Sequence, residues 1–255
     1  GRRGRVMFDP ELAVRDLFPA DLHGRYRFRS FRGAAAILAA NAPQEHAMLV
    51  AVLRRFRIRM LDICKPGGSR SEPTELFGKL AVREGFSEEV SLAAEFHWRL
   101  NHGRTEVLAW KNREHLFGHK IDHWSNAVAL DYEWNSKDQT YDRDLLAFRQ
   151  FYDLGIISCG VIVTRDLSTQ VTGFLPSLEV FDPQRSYDPA QMRTLFTRRG
   201  QTFVQKRGRT GAPMYLKDKM GASTTGLPKL SSRLAAGRGG GCPILVVGIG
   251  DGNLI

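Results

Sequence analysis

The chain has 255 residues and a net charge of +10, with 42% hydrophobic and 25% charged side chains. These values are typical of a globular protein with a sizeable core, and they exclude a disordered or fibrous chain. No window is long and apolar enough for a membrane helix, and no apolar signal segment follows the basic start. We therefore expect a cytoplasmic protein that has no membrane partner. The three separated cysteines fit neither a disulfide framework nor a zinc site, so we expect them to be reduced and buried: Cys64, Cys159 and Cys242.

The positive charge is clustered rather than spread evenly. Arginines concentrate in four stretches, at 1–5, 24–32, 53–59 and 197–209. Clustered cations attract a polyanion and release its counterions, which favours a nucleic-acid partner over a small acidic substrate. The stretch at 53–59 also fits the solvent-facing side of a helix whose apolar side consists of Leu49, Val52, Leu53, Phe56 and Met60.

The first 90 residues show mostly helical patterns. Helices are predicted at 9–18, 31–41 and 43–63, with a break at Pro43, and a further helix at 74–84 follows a Gly- and Pro-containing loop.

The period changes near residue 92. Alternating patterns at 93–100, 105–110 and 119–124 indicate strands, and a helix at 141–155 ends at Gly155. Continuous apolar runs at 156–164 and 242–249 predict strands that are buried on both faces. Buried strands that alternate with helices favour a mixed α/β fold, and the loop-rich stretch at 166–220 is typical of a functional excursion.

Two carboxylates stand on one predicted strand, in the stretch ALDYEWNSKD at 129–138. Asp131 and Glu133 lie two residues apart and therefore share a face, and Asp122 on the preceding strand can approach them. Carboxylates this close repel one another unless a cation lies between them, and Mg²⁺ prefers such oxygen ligands. The alternative is that both acids decorate the solvent face of an edge strand.

Two blocks of the chain, 119–165 and 221–249, resemble type II restriction endonucleases of the BglII type, the relatives of BamHI and BstYI. The resemblance covers roughly 28–165 and 221–250. It implies the PD-(D/E)xK fold, in which a mixed central sheet of five or six strands is flanked by helices. We expect one nuclease domain with four parts: a helical part at 1–90, a catalytic sheet at 91–165, a DNA-binding excursion at 166–220, and a C-terminal helix and strand at 221–255.

The resemblance also implies a homodimer that acts on double-stranded DNA with Mg²⁺. Asp122 matches the family's first metal-binding aspartate, and Asp131 matches the second acidic position. Glu133 stands where most of the superfamily has lysine, so it is a base, an orienter of the attacking water or a ligand of a second metal. An upstream acid helps to hold metal in some relatives, and the candidates for that role are Glu95 and Glu106.

The expected DNA contacts come from polar residues after the catalytic strand and from the excursion. Asn135 and Lys137 continue the polar face of the strand if the extended geometry persists, and a surface lysine in a turn is the alternative for Lys137. In the excursion the candidates for phosphate or guanine contacts are Arg198, Arg199, Lys206, Arg207 and Arg209.

The resemblance, together with the acid spacing and the basic clusters, implies a type II restriction endonuclease that hydrolyses DNA at a short palindromic site with Mg²⁺ and leaves 5′-phosphates. Two alternatives remain at this level. One is a repair or structure-directed nuclease that does not read bases, and the other is a DNA-binding module whose acids have no catalytic role.

Overall fold

A computed structural model describes residues 8–59, 71–166, 223–253 and 255. The helices are α1 (Glu11–Arg15), α2 (Ala34–Asn41), α3 (Pro43–Arg55), α4 (Glu72–Glu84), α5 (Thr140–Asp153) and α6 (Leu227–Ala235). Short 3₁₀ turns occupy Ala20–Leu22 and Asp251–Asn253. The strands are β1 (Tyr26–Phe31), β2 (Ser87–His102), β3 (Thr105–Ser125), β4 (Val128–Glu133), β5 (Cys159–Arg165) and β6 (Ile244–Ile249).

The six strands form one mixed sheet in the order β1-β6-β5-β4-β3-β2. The three central strands, β4, β5 and β6, are parallel to one another. The outer pairs are antiparallel, with β1 against β6 on one side and β3 against β4 and β2 on the other. The predicted mixed sheet with flanking helices is therefore confirmed, and β4 lies in its interior.

The sheet separates two hydrophobic cores. One core joins α2, α3 and α4 to one face of the sheet, and it includes Phe56, Phe77 and Tyr132. The other core joins α5 and α6 to the opposite face, and it includes Phe148, Ile162 and other apolar side chains. Both faces of β5 and β6 are covered, as the continuous apolar runs predicted, because every residue of these two strands is buried.

Helix α5 lies unusually close to β5 because the strand has a glycine at the point of contact. A Cβ atom added at Gly160 would lie 2.2 Å from the Phe148 ring, well inside van der Waals contact. The close approach fixes the position of α5 against the sheet. It therefore also fixes how close the polar residues in the first turns of α5 come to β4.

The helix predicted at 43–63 is shorter in the structure. The helix that begins at Pro43 ends at Arg55, because Phe56 takes an extended conformation and Ile58 bonds to the backbone of Asn253. The expected apolar side of that helix is otherwise buried as predicted up to Phe56, whereas Met60 lies outside the described residues.

The arginine stretch at 24–32 contains the edge strand β1, which the sequence reasoning did not identify. The strand hides Tyr26 and Phe28 in the core and leaves Arg27 and Arg29 on its other side, 3.4 Å and 4.0 Å from the carboxylate of Glu11.

Within the described residues no single helix is long and apolar enough to cross a membrane; α2 and α3 pass that test only as a pair bent by 111°, by length and composition alone. Cys159 and Cys242 are free and buried, in agreement with the expectation from sequence, and Cys64 lies outside the described residues.

Candidate active site

Strand β4 alternates its side chains between the two cores. Tyr132 stacks on Phe77 at 4.4 Å between ring centroids on the side of α3 and α4, whereas Asp131 and Glu133 point to the opposite side. Both acids are buried, with Asp131 2% and Glu133 5% exposed. The alternative in which they decorate the solvent face of an edge strand is wrong, because β4 is an interior strand covered on both faces.

Strand β3 brings Asp122 to the same place. His123 pairs with Leu130, so Asp122 stands opposite Asp131 across the antiparallel pair. The backbone N–H of Asp122 donates to Oδ1 of Asp131 at 2.7 Å, and the backbone N–H of Tyr132 donates to Oδ2 of Asp122 at 3.5 Å. The structure therefore brings the two predicted aspartates together: Asp131 accepts from the Asp122 backbone, and Asp122 accepts from the backbone of Tyr132, the residue after Asp131.

A fourth carboxylate, which the sequence reasoning missed, comes from helix α5. Asp144 is 1% exposed, and its carboxyl group lies within hydrogen-bond reach of the Glu133 carboxyl. The signal was present in the helical period, since Asp144 shares a buried helix side with Tyr141 and Phe148 at spacings of three and four. An acid at a core position of an amphipathic helix is unusual, and it marks the residue for a functional role.

Asp122, Asp131, Glu133 and Asp144 form one acid cluster, and burial and mutual repulsion shift the ionisation of the last three. Burial, reinforced by the charges of its neighbours, raises the pKa of Asp131 well above its usual range. Burial, reinforced by Asp144, raises the pKa of Glu133 to about 8. Burial also raises the pKa of Asp144 to about 6, against the opposing attraction of Arg143. At neutral pH these groups therefore ionise together only when additional positive charge is near.

Arg143 on α5 supplies the positive charge that contacts the cluster. Its guanidinium donates to Oδ1 of Asp144 at 2.8 Å and lies 3.8 Å from Oε1 of Glu133. The Arg143 side chain is 70% exposed, so it closes the cluster from the solvent side.

The acid cluster offers the hard oxygen donors that Mg²⁺ prefers. Among the described residues no group of three or more Asp, Glu, His or Cys side chains is arranged to hold a metal ion as it stands. Two buried oxygens, Oε2 of Glu133 and Oδ2 of Asp144, have no hydrogen-bond partner in this part of the chain. Unsatisfied buried carboxylate oxygens beside further acids fit an oxygen-seeking divalent cation, because such an ion satisfies the oxygens and offsets their charge together.

The end of β4 is held firmly behind the acids. The backbone carbonyl of Glu133 accepts hydrogen bonds from Oγ1 of Thr164 at 2.8 Å and from Oγ1 of Thr225 at 3.4 Å. The buried Arg165 guanidinium in turn donates to the Thr225 carbonyl at 2.7 Å. These bonds join the chain on either side of 167–222 to the strand end that carries Glu133, and they limit the movement of its backbone.

The expected continuation of the strand beyond Glu133 is wrong. β4 ends at Glu133, and Asn135 and Lys137 are exposed in the connection to α5, where Lys137 forms an isolated bridge with Thr224. The polar face therefore stops at the acids because the chain turns there into the helix.

Neither upstream acid candidate approaches the acid cluster. Glu95 and Glu106 lie on the β2–β3 hairpin, where they pair with Lys111 at 2.9 Å and with Arg99 at 3.6 Å. Glu106 lies 16 residues before Asp122 along β3, which is roughly 50 Å of extended strand. The excursion residues Arg198, Arg199, Lys206, Arg207 and Arg209 lie outside the described residues.

Comparison with protein families identifies the class to which this fold and acid cluster belong. The model of the family described as restriction endonuclease BglII/BglIII matches residues 26–249 of the chain. No curated protein matches the chain. The chain therefore belongs to the BglII-type restriction endonuclease family, and the resemblance expected from 119–165 and 221–249 is confirmed. Membership makes it a type II restriction endonuclease, a nuclease that binds double-stranded DNA.

Proposed function

We propose that this endonuclease hydrolyses DNA in a Mg²⁺-dependent reaction at a short palindromic site and leaves 5′-phosphates. The observation that carries the proposal is the convergence of Asp122, Asp131 and Glu133 from adjacent strands into one acid cluster, in which Asp131 and Glu133 are buried. Family membership supports the DNA substrate, and the net charge of +10 supports attraction to a polyanion.

Asp122 and Asp131 are the proposed ligands of the cation, and Glu133 completes the set. When bound, Mg²⁺ polarises a phosphodiester oxygen and makes a bound water easier to deprotonate. Asp131 is held by the Asp122 backbone, so its second oxygen has a fixed direction. This pre-organisation matters because small displacements of a reacting group cost large factors in rate.

Glu133 is the proposed proton acceptor. The water oxygen attacks phosphorus, its proton passes to a carboxylate oxygen of Glu133, and the bond from phosphorus to the 3′-oxygen breaks. The leaving 3′-oxygen takes a proton from solvent, which gives a 3′-hydroxyl and a 5′-phosphate. Burial raises the pKa of Glu133 to about 8 in the metal-free chain, so its carboxylate is free to accept a proton when a bound cation keeps it ionised.

Recognition is proposed to use a homodimer, because two-fold symmetry in the protein matches two-fold symmetry in a palindromic site. Asn135 and Lys137 are exposed beside the end of β4 and are proposed to contact the DNA next to the scissile phosphate. The basic residues of the excursion are proposed to contact phosphates or base edges: Arg198, Arg199, Lys206, Arg207 and Arg209.

The test is digestion of plasmid and phage DNA with Mg²⁺, with EDTA as the metal-free control, followed by sequencing of the fragment ends. Discrete bands whose ends share one palindrome and carry 5′-phosphates support the proposal. Cleavage at unrelated positions identifies a structure-directed nuclease instead. Intact DNA with Mg²⁺, from a protein that still retards DNA in a gel, identifies a binding module.

A further inference from the structure

The Asp144 carboxylate is buried on the inner side of α5 with only one of its oxygens bonded. Oδ1 accepts from Nε of Arg143 at 3.0 Å and from Nη2 at 2.8 Å. Oδ2 is buried and has no hydrogen-bond partner among the described residues. A carboxylate that served only to pair with the exposed Arg143 side chain would not need to be buried, since the same pair forms at the surface without the cost of removing charge from water.

Glu133 has a matching free oxygen beside it. Its Oε2 is also buried and without a hydrogen-bond partner in the described part of the chain. The two carboxyl groups lie within hydrogen-bond reach of each other, and Arg143 touches both from the solvent side. The two acids therefore each keep one buried oxygen that does not bond to their shared arginine.

Among the described residues Arg143 is the cation that contacts Glu133 and Asp144, and it does not offset this amount of negative charge. Asp122 and Asp131 add to the negative charge around Glu133 and Asp144, and Arg143 is largely exposed to solvent, which screens its charge. Removing several like charges from water without a compensating ion is strongly unfavourable. A divalent cation between the free oxygens satisfies both of them and offsets the repulsion.

We propose that Asp144 is a fourth carboxylate ligand of the divalent-cation site, with its Oδ2 and the Oε2 of Glu133 on the same ion. The inference rests on the proposed function, in which Asp122, Asp131 and Glu133 hold Mg²⁺. It extends the site from the two strands of the sheet to helix α5, so that the position of α5 against β5 decides whether the site is complete. Mg²⁺ accepts such a ligand because it keeps several waters that a carboxylate replaces.

The competing account of the same geometry is a single proton shared between Glu133 and Asp144. A shared proton satisfies the two free oxygens without any ion. The two accounts differ in what Asp144 does to a bound ion: a ligand changes the number of waters on the ion, whereas a proton-sharing neighbour does not.

Binding of Tb³⁺ to the full chain, displaced by Mg²⁺, distinguishes the two accounts. Tb³⁺ favours the same oxygen ligands, and its luminescence lifetimes in H₂O and D₂O report how many waters remain on the ion. We expect Asp144→Ala to bind Tb³⁺ at least about tenfold more weakly than the wild type. We also expect the ion to carry about one more water in this variant, since one ligand oxygen is lost. Asp144→Asn keeps the shape of the side chain but removes its charge, and it should weaken binding as well.

Asp153→Asn is the matched control, because Asp153 is an exposed aspartate of the same helix that pairs only with Arg149, at 3.4 Å, among the contacts described for it. It should bind Tb³⁺ as the wild type does. Thermal unfolding without metal keeps the test independent of folding defects: Asp144→Asn should melt no lower than the wild type, because it loses a buried charge that Arg143 only partly offsets.

Wild-type affinity and an unchanged water count in both Asp144 variants, together with lost binding in Asp131→Asn, would overturn the role of Asp144 and leave the proposed function standing. A wild-type chain that binds no Tb³⁺ displaceable by Mg²⁺ would overturn the proposed function itself, and this inference with it.

Discussion

Glu133→Gln is expected to stabilise the metal-free protein at alkaline pH. In the folded chain the pKa of Glu133 is raised by burial from 4.5 to about 8. Below pH 4.5 the carboxyl is protonated in both the folded and the unfolded chain and contributes nothing to pH dependence. As the pH rises from 4.5 to 8, the unfolded chain ionises and the folded chain does not, so folding loses stability.

The size of this loss follows from the displaced pKa. At ~1.4 kcal/mol per pH unit, the upper limit is about 5 kcal/mol above pH 8. At pH 5 the same calculation gives a loss of folding stability of under about 1 kcal/mol. For a chain of this length, 1 kcal/mol corresponds to roughly 2–4 °C in melting temperature. The neutral variant should therefore melt up to about 10–20 °C higher than the wild type at pH 8.5 and close to it at pH 5.

The assay is thermal and urea unfolding at pH 5 and pH 8.5, in EDTA and in Ca²⁺. Ca²⁺ should raise the stability of the wild type at pH 8.5, because an ion that binds only the folded chain stabilises it. It should raise the stability of Glu133→Gln by less. Glu75→Gln is the control: Glu75 is half exposed and pairs with Lys79 on the surface of α4, so its loss should change stability by no more than ~0.5 kcal/mol. A Glu133→Gln protein that unfolds exactly like the wild type at both pH values in EDTA would refute the reasoning.

Three further outcomes follow from the same structure. Asp131→Asn should lose cleavage by at least about 10²-fold while DNA retention in a gel is kept; retained cleavage would contradict the ligand role. Gly160→Ala should lower the free energy of unfolding in urea by ~1–3 kcal/mol or more, since the added methyl meets the Phe148 ring; unchanged stability would mean that α5 is not held there. Phe56→Ala should cost about 3–5 kcal/mol in urea unfolding, because the ring is fully buried and packs edge-on against Tyr132 at 5.6 Å, and a cost below that of an ordinary surface change would contradict this packing.

Much of the acid cluster was readable from local spacing. The period of two predicted that Asp131 and Glu133 share a face, because successive side chains on a strand alternate whatever surrounds them. Local spacing could not decide whether that face is wet or buried, since burial depends on which strands and helices lie next to β4. Asp144 was missed for the same reason: its distance from Glu133 is set by the packing of α5 over β4, and the two residues stand in different elements.

Elsewhere long-range contacts overruled the local pattern. The helix expected through 43–63 stops at Arg55, because Ile58 is drawn into backbone bonds with Asn253 and Ile255 near the other end of the chain. The arginine-rich stretch at 24–32 forms β1, because β6 offers an edge with which it pairs. No sequence window that contains only one partner of such a pair holds this information.

The sequence by itself determined the alternation of helices and strands, the shared face of Asp131 and Glu133 and the family to which the chain belongs, since these depend on residue spacing along one segment. Only the tertiary structure decided that β4 is an interior strand and that four acids, three of them buried, meet in one cluster. It also decided that Glu95 and Glu106 lie far from that cluster. The physical reason is that burial and charge repulsion act through space: they depend on which segments meet, and residues distant in sequence supply both.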